Sequence, residues 1–478
     1  MFSLTDVFFA FVIVALLILV GRYLKQKIRW LQRLHLPESI VAGFLALLLG
    51  PQALGAMATV VSGEGSVLSD GVFSEPIREV WSQSPGRFIN IVFAALFLGE
   101  TIPNPREIWR KAAPQVIFGQ SIAWGQYVVG LFVTLVVLIP VFGAHPISGA
   151  LIEIGFEGGH GTAGGMAATL GELGFQEGAD LAIGLATVGI VSGIVAGTAL
   201  ANWGRRRGYV QAISQPAKEI EGIPELTPTE TPEIQRRRAK LMRGALIDPL
   251  SINFGIVGAA IVVGWLILNG LNWFESVTWG RTGFAVMTYV PLFPMALIGG
   301  IVVQIVMNRL RLSPLIIEPL MKNIAGLALD VVVVTALASI SLQVLGSNFG
   351  VFAILSIVGI TWNILFFLYF APRIFPDHWF ERGLGDLGQS MGVTATGILL
   401  LRMVDPENRS GAFESFAYKQ LFFEPIVGGG LFTAAAPALI ARFGLVTILI
   451  LTAGLLLFWL LAGFFLIRQR KQSKALPY

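Results

Sequence analysis

Two glycine-rich segments hold the residues whose types and spacing point to chemistry. The first, 156–165, has the sequence FEGGHGTAGG and places a carboxylate, a histidine and a threonine among glycines, between apolar flanks. Glycine lets a helix unwind, and unwound backbone inside a membrane must face protein or a water-filled cavity. Its N–H groups attract anions, whereas its carbonyls and hydroxyls suit a hard cation such as Na⁺. The segment is therefore predicted to form half of a solute and ion site, with candidate residues Glu157, Gly158, Gly159, His160, Gly161 and Thr162.

The second segment, 383–404, has the sequence GLGDLGQSMGVTATGILLLRMV and a similar mixture of glycines and hydroxyls. Its candidate site residues are Gly392, Thr394 and Thr396. Threonine in a membrane helix also commonly bonds to its own backbone, so a ligand role and a local structural role both remain open. If the two segments enter the membrane from opposite sides, they meet near its midplane and form one site.

Other polar residues lie within or near apolar runs, where a carboxylate costs at least about 2.5 kcal/mol to insert. Asp330 is a candidate for binding on this ground. Glu153 and Glu424 are acids of undetermined role, and a protonated or paired structural acid is the alternative. Asn90 and Asn323 are candidate ligands, with interhelical hydrogen bonding as an equal alternative. The candidates for Na⁺ are Glu157, Thr162, Asp330 and Thr394.

The sequence contains no arrangement typical of an enzyme. His160 stands alone, whereas a zinc site needs three or four ligands, and no HExxH motif occurs. The glycine run lacks the preceding strand and the Gly-Lys-Ser/Thr ending of a phosphate-binding loop, and the chain has no cysteine. We therefore expect neither catalysis nor a cofactor, apart from Na⁺ as a coupling ion.

The composition indicates an integral membrane protein. Of the 478 residues, 55% are hydrophobic and 13% are charged, against about a quarter charged in a soluble domain. The apolar runs do not alternate in polarity as a β-barrel requires. The predicted fold class is an all-α polytopic membrane protein with about 11 spans. The spans are expected near 4–20, 38–55, 87–101, 114–142, 179–202, 247–270, 283–308, 322–345, 348–371, 420–440 and 443–467.

The positive charges predict the orientation. If segments 145–172 and 383–404 are re-entrant, each starting and finishing on one side, five spans precede the charged loop 203–246 and six follow it. Of the 33 Lys and Arg residues, those that then fall outside are Arg78, Arg87, Arg281 and Arg442. By the positive-inside rule, the N-terminus is outside and the C-terminus is cytoplasmic, in the cell inner (plasma) membrane. Since orientation explains the basic residues, the pI near 9.4 does not indicate a nucleic-acid partner.

The hydropathy order repeats along the chain, because each half has four spans, a glycine segment and a further span. An odd number of crossings inverts the second half relative to the first, and inverted repeats with interrupted helices are typical of secondary transporters. We predict two inverted five-helix repeats, each with a broken or re-entrant glycine segment. The predicted domains are a first repeat at 1–202, a cytoplasmic linker at 203–246, a second repeat at 247–442 and, at 443–478, an extra transmembrane helix with a basic tail.

At these residues the chain resembles the sodium/glutamate symporter family. The resemblance rests on LPESIVAG near the second span, GGHGTAGG in the first glycine segment and MGVTATGILLLRM in the second, and the order of elements agrees from about residue 4 to residue 440. Residues 158–162 match the Gly-Gly-His-Gly-Thr of the family's first motif. Residues 392–396 are Gly-Val-Thr-Ala-Thr, where the family has Gly-Ala-Thr-Pro-Thr. Glu157 departs from the family, which has a small hydroxyl residue at that position.

The resemblance implies Na⁺-coupled uptake of L-glutamate by an alternating-access, elevator-like mechanism. It also implies a homodimer in the lipid bilayer, with residues 158–162 and 392–396 lining the solute and sodium region. Glu157 and Asp330 motivate one alternative, a Na⁺- or H⁺-coupled carrier of another amino acid or organic anion. An alternative of another class is an ion channel or sensor, since paired glycine segments also build pores.

Overall fold

The computed structural model describes residues 2–63, 66–100, 105–210, 237–238, 248–283 and 285–475. These residues form helices and no strand. By length and composition, ten helices in this part of the chain are apolar enough to cross a membrane, with Trp379–Val404 counted as one of them. The prediction of an all-α polytopic membrane protein is confirmed at this level, while the predicted repeat remains a prediction.

The first half of the chain places a set of short helices between long ones. The α-helices are α1 Leu4–Lys27, α2 Arg29–Arg33, α3 Glu38–Leu48, α4 Ala56–Ser62, α5 Glu75–Gln83, α6 Pro85–Ala95, α7 Pro105–Val133, α8 Ile139–Phe142, α9 Leu151–Phe156, α10 Gly159–Gly165, α11 Ala167–Glu172 and α12 Gly178–Arg206. π-Helical turns at Pro51–Gly55 and Thr134–Leu138 connect α3 to α4 and α7 to α8, and a 3₁₀ turn at Pro146–Ala150 leads into α9.

The second half of the chain contains nine α-helices among the described residues. The α-helices are α13 Pro249–Val277, α14 Leu292–Arg309, α15 Glu318–Ser339, α16 Leu342–Ser347, α17 Phe349–Ile374, α18 Trp379–Val404, α19 Ala412–Phe423, α20 Leu431–Phe443 and α21 Leu445–Ala475. Single 3₁₀ turns lie at Trp279–Thr282, Met287–Tyr289 and Ser313–Leu315.

The chain divides into two compact units. Unit 1 comprises Met1–Gly86, Pro103–Ile213 and Val331–Tyr478, and unit 2 comprises Arg87–Ile102 and Ser214–Asp330. Both glycine segments belong to unit 1. Within unit 2, α13 and α14 pack closely against each other. A methyl group added at Gly264 would lie only 2.5 Å from the Met295 carbonyl oxygen.

The first glycine segment folds back on itself. The rings of His145 and Phe175, at its two ends, stack with centroids 4.7 Å apart and planes 9° from parallel. A continuous helix of that length would hold its ends about 45 Å apart. Residues 146–172 therefore fold back on themselves as a helical turn, called here the first hairpin, whose direction changes at Gly159 with φ +69°.

The second glycine segment also doubles back, because α18 consists of two helical stretches joined across a kink. Its backbone is non-helical at Gly392 (φ −152°, ψ 39°) and Val393 (φ 59°, ψ 176°). A methyl group at Gly385 would lie 2.7 Å from Cγ of Leu401, whereas sixteen residues of straight helix would separate the two by about 24 Å. Residues 379–404 are therefore two antiparallel arms, called here the second hairpin, rather than one rod.

The two hairpins approach opposite ends of α12. The base of the first, at His145 and Phe175, precedes the N-terminus of α12. The base of the second lies at its C-terminus, where Phe380 contacts Gly204 and the Met403 carbonyl accepts from the Arg205 side chain.

Both tips reach Gly189, in the central part of α12. A side chain there would meet the Met391 carbonyl oxygen and, at 2.9 Å, Cδ1 of Phe156. A glycine at this position therefore permits both tips to reach the middle of a membrane-length helix.

Two expected spans differ from the structure. Residues 87–101 were expected to cross, but the helix in this region, Pro85–Ala95, has 11 residues, which is about 16 Å of helix. The expected span at 420–440 is broken between α19 and α20, where Glu424 and Pro425 precede three consecutive glycines. The domain boundaries remain a prediction, and most of the predicted linker lies outside the described residues.

Candidate functional site

The tips of the two hairpins touch each other. A methyl group at Gly159 would lie 2.5 Å from Cγ1 of Val393, so only a glycine fits against this valine. Both residues have positive φ. Positive φ is ordinary for glycine but strained for a β-branched residue. The contact brings together the two segments that the sequence singled out, and it does so where the helical backbone is interrupted in each.

Glu157 and Thr162 flank the tip of the first hairpin. The Glu157 side chain is 3% exposed and Thr162 is fully buried. Among the described residues, the two carboxylate oxygens of Glu157 and the hydroxyl of Thr162 have no hydrogen-bond partner. The Ser390 hydroxyl lies near the Glu157 carboxylate, without the geometry of a hydrogen bond. Buried polar atoms without partners are costly, so these oxygens are candidates for binding a ligand.

Glu153, one helical turn before Glu157, is bonded differently. Its Oε2 accepts from the Tyr127 hydroxyl at 2.6 Å. Its Oε1 accepts from the Gly428 amide at 2.8 Å and from the Thr433 hydroxyl at 2.7 Å. These three donors satisfy the carboxylate, so Glu153 fastens the first hairpin to the broken stretch between α19 and α20.

That broken stretch also reaches the second hairpin. Glu424 Oε1 accepts from the Thr394 hydroxyl at 3.0 Å and from Gln389 Nε2 at 3.3 Å. Glu424 is buried. Thr394, predicted as a ligand, is therefore a hydrogen-bond donor to an acid that the sequence analysis had left without a role.

An ion pair lies on the first arm of the second hairpin. Lys419 Nζ, on α19, contacts Asp386 Oδ1 at 2.8 Å, and both side chains are buried. Gln115 Nε2 donates to the other Asp386 oxygen at 2.9 Å. The buried acids Glu153, Glu157, Glu424 and Asp386 thus share the interior of unit 1 with the Lys419 ammonium. The charged side chains acting on Glu157 are Lys419, Glu153 and Glu424.

Two amides hold the last turn before the second tip. Gln126 Nε2 and Asn363 Nδ2 donate to the Ser390 carbonyl at 2.7 and 2.9 Å, and Gln126 Nε2 also donates to Asn363 Oδ1 at 3.1 Å. Both amides are fully buried. A carbonyl that has lost its helical partner is satisfied in this way, and the tip is fixed by side chains of α7 and α17.

His160 has a structural contact in this structure, a hydrogen bond to α12. Its Nε2 lies 2.9 Å from the Thr187 hydroxyl, which itself donates to the Ile183 carbonyl. Since that hydroxyl proton is engaged, His160 donates from Nε2 to the hydroxyl oxygen. The histidine thereby ties the first hairpin to α12.

The remaining predicted residues divide between the two units. Gly158, Gly161, Gly392 and Thr396 lie at the tips in unit 1, with Gly158 half-buried and the other three buried. Asp330, Asn90 and Asn323 belong to unit 2. Asp330 and Asn90 are half-buried and Asn323 is exposed. The structure therefore gathers the motif residues of the hairpins, and it places these three in a separate unit.

Neither a family model nor a curated protein matches this chain. Within the described ranges, no group of three His, Asp or Glu side chains is arranged to hold a metal ion.

Several residues of this site were missed by sequence reasoning, namely Tyr127, Gln126, Asn363, Asp386, Gln389, Lys419 and Gly428. One signal was present. FEPIVGGG at 423–430 places an acid just before a glycine run, as FEGGHG does at 156–161. Lys419 carried no such signal. The sequence does not show where a lysine inside an apolar helix directs its ammonium group, and its partner, Asp386, is distant in sequence.

Proposed function

We propose that the chain is a cation-coupled secondary transporter that binds its solute where the two hairpins meet. Interrupted helices near the middle of a membrane protein supply free N–H and C=O groups for solutes and ions. Such backbone is tolerated only where it faces protein or a cavity. The opposed hairpins and the helix between them lie in one compact unit, as a transport domain that moves as a body requires.

One observation carries this proposal, the buried Glu157 carboxylate without a hydrogen-bond partner among the described residues. An ionised carboxylate held away from water costs several kcal/mol unless it is compensated. The groups without partners here are acceptors or, for Thr162, a hydroxyl. They call for a ligand that brings positive charge, and a monovalent cation such as Na⁺ fits this requirement.

The resemblance to sodium/glutamate symporters makes L-glutamate the first solute to test. The second arm of the second hairpin begins at Thr394, and the N–H groups at the start of a helix attract carboxylates. L-glutamate has net charge −1, so its entry against a negative interior is uphill. Each Na⁺ that enters with it contributes about 2.3 kcal/mol per 100 mV, so more than one Na⁺ makes uptake electrogenic and favourable.

The buried acids favour a second candidate function. Glu153, Glu157, Glu424 and Asp386 outnumber the Lys419 ammonium near the tips, and an anionic solute would add to this excess. A proton-coupled carrier, or a carrier of a solute with an amino group, would neutralise it. This candidate differs from the first in the coupling ion or in the solute.

Uptake into liposomes tests both candidates. Purified protein would be reconstituted, and radiolabelled L-glutamate would be supplied with an inward Na⁺ gradient, with K⁺ alone or with an inward proton gradient. We expect uptake with Na⁺ and not with K⁺. Uptake driven by protons, or uptake of other amino acids in preference to glutamate, would favour the second candidate. Currents without saturable uptake would favour a channel.

Glu157→Gln is the matching variant, with Glu172→Gln as its control. Glu172 lies in the same hairpin but is exposed near its base. We expect E157Q to abolish cation-dependent uptake and E172Q to leave it unchanged. Full Na⁺-dependent uptake by E157Q would overturn the assignment of the cation site.

The orientation is part of the same proposal, with the N-terminus outside, the C-terminus cytoplasmic and the protein in the inner membrane as a homodimer. Because the chain has no cysteine, single cysteines report the exposed side directly. A membrane-impermeant thiol reagent added to intact cells is expected to label Gln176→Cys and not Asn408→Cys. The reverse labelling pattern would show that the orientation is opposite to the one proposed.

A further inference from the structure

Lys419 is a buried lysine in a setting built for a cation. Its side chain is 1% exposed, and Nζ donates to Asp386 Oδ1 and to Gln389 Oε1, both at 2.8 Å. The ring centroids of Phe423 and Phe416 lie 4.1 and 4.9 Å from Nζ. The ammonium is therefore surrounded by a carboxylate, an amide oxygen and two aromatic faces, each of which stabilises positive charge.

The chain directs the lysine into this position from a different element. Asp386 and Gln389 are three residues apart, so they share one face of the first hairpin arm, while Lys419 belongs to α19. The aliphatic stem of Lys419 packs on Gly119, where a methyl group would lie 2.7 Å from Cδ. The stem is thus held by packing, and the ammonium projects to the two oxygens.

The ion pair is linked to the tip of the second hairpin. Gln389, which accepts from Lys419, donates through Nε2 to Glu424, and Glu424 accepts from Thr394 at the tip. The positive charge on Lys419 therefore stabilises Asp386 directly and orients the amide that contacts the acid at the site.

We infer that the Lys419 ammonium occupies a monovalent-cation position, as a cation tethered to the chain. An ammonium and a small alkali ion have the same charge and both bind carboxylate and amide oxygens. A tethered cation cannot dissociate during a transport cycle. If the proposed transport function holds, on which this consequence rests, the protein needs fewer mobile cations than its buried acids suggest.

Replacement of the lysine by methionine tests the inference, because methionine keeps most of the stem and removes the charge. Lys419→Met leaves Asp386 and Gln389 facing a vacated cation position. We expect the melting temperature of purified K419M in detergent to rise with NaCl concentration along a saturating curve, as ligand binding to the folded state requires. Choline chloride at equal ionic strength separates binding from screening.

The double variant Asp386→Asn with Lys419→Met is the matched control, since it removes both charges. Neither this variant nor the wild type is expected to show the additional Na⁺-dependent rise. An identical Na⁺ response in K419M and the double variant would overturn the inference. The inference would also be overturned if the double variant can be purified and K419M cannot be purified at any NaCl concentration. These melts do not involve transport, so they stand even if uptake fails in liposomes.

Discussion

Gly159 and Val393, which are 234 positions apart in sequence, meet at the tips of two oppositely directed hairpins, where each has a positive φ. The contact joins the two glycine segments within one compact unit, beside the central part of α12. Glu157 and Thr394 lie next to these tips, so the contact places an acid without a hydrogen-bond partner and a hydroxyl bonded to Glu424 in one region.

The contact predicts that Gly159→Ala blocks transport. The added methyl would lie 2.5 Å from Val393 Cγ1, and alanine at positive φ costs about 1–2 kcal/mol. Gly174→Ala is the matched control, because Gly174 also has positive φ but open space around it. Solute uptake is expected to be lost in G159A and kept in G174A. Partial recovery in the double variant G159A with Val393→Ala would assign the loss to the contact, and no recovery would contradict this.

Val393 is predicted to be strained. Relief of a strained backbone conformation raises the free energy of unfolding by about 1–3 kcal/mol. The greater freedom of glycine in the unfolded chain lowers it by about 0.5–1 kcal/mol. Both variants lose the packing of the valine side chain and only glycine relieves the strain, so Val393→Gly should melt at a higher temperature than Val393→Ala. Thermal unfolding in detergent measures both variants. A lower melting temperature for V393G than for V393A would show that the valine is not strained.

Glu153 and Glu157 are expected to respond oppositely to the same substitution. Glu153→Gln leaves three donors facing an amide that has only one acceptor oxygen, and each buried unsatisfied group costs about 1–3 kcal/mol. Glu157→Gln removes a buried charge that has no hydrogen-bond donor among the described residues, so its stability should be unchanged or higher. Melting temperatures without Na⁺ provide the comparison. Equal destabilisation of both variants would argue against the assignment of Glu157 as a ligand.

Gln126 and Asn363 are predicted to be partly redundant. Each donates to the Ser390 carbonyl, so Gln126→Leu or Asn363→Leu alone leaves that oxygen with one donor. The double variant leaves it unsatisfied in a buried setting, at an additional cost of about 1–3 kcal/mol. A double-mutant cycle on unfolding, with the KM for uptake measured in parallel, tests this. Additive losses of stability would show that the two amides do not share the carbonyl.

Composition and local sequence pattern were sufficient to predict the fold class and to single out the two glycine segments. Long apolar runs with few charges can be stable only as membrane helices, and this follows from composition without any long-range contact. Glycine runs containing an acid or hydroxyls mark places where a helix can break. The breaks at Gly159 and at Gly392 and Val393 lie inside the two segments chosen on this ground.

The contacts between polar groups, in contrast, follow from the tertiary packing. Glu153 and Glu157 are one helical turn apart and chemically identical. Their bonding differs because Tyr127, Gly428 and Thr433 converge on one carboxylate and leave the other without a donor among the described residues. The pairing of Lys419 with Asp386 depends in the same way on how α19 packs against the second hairpin. Local patterns cannot specify such contacts, because they arise from segments that are distant in sequence and brought together by folding.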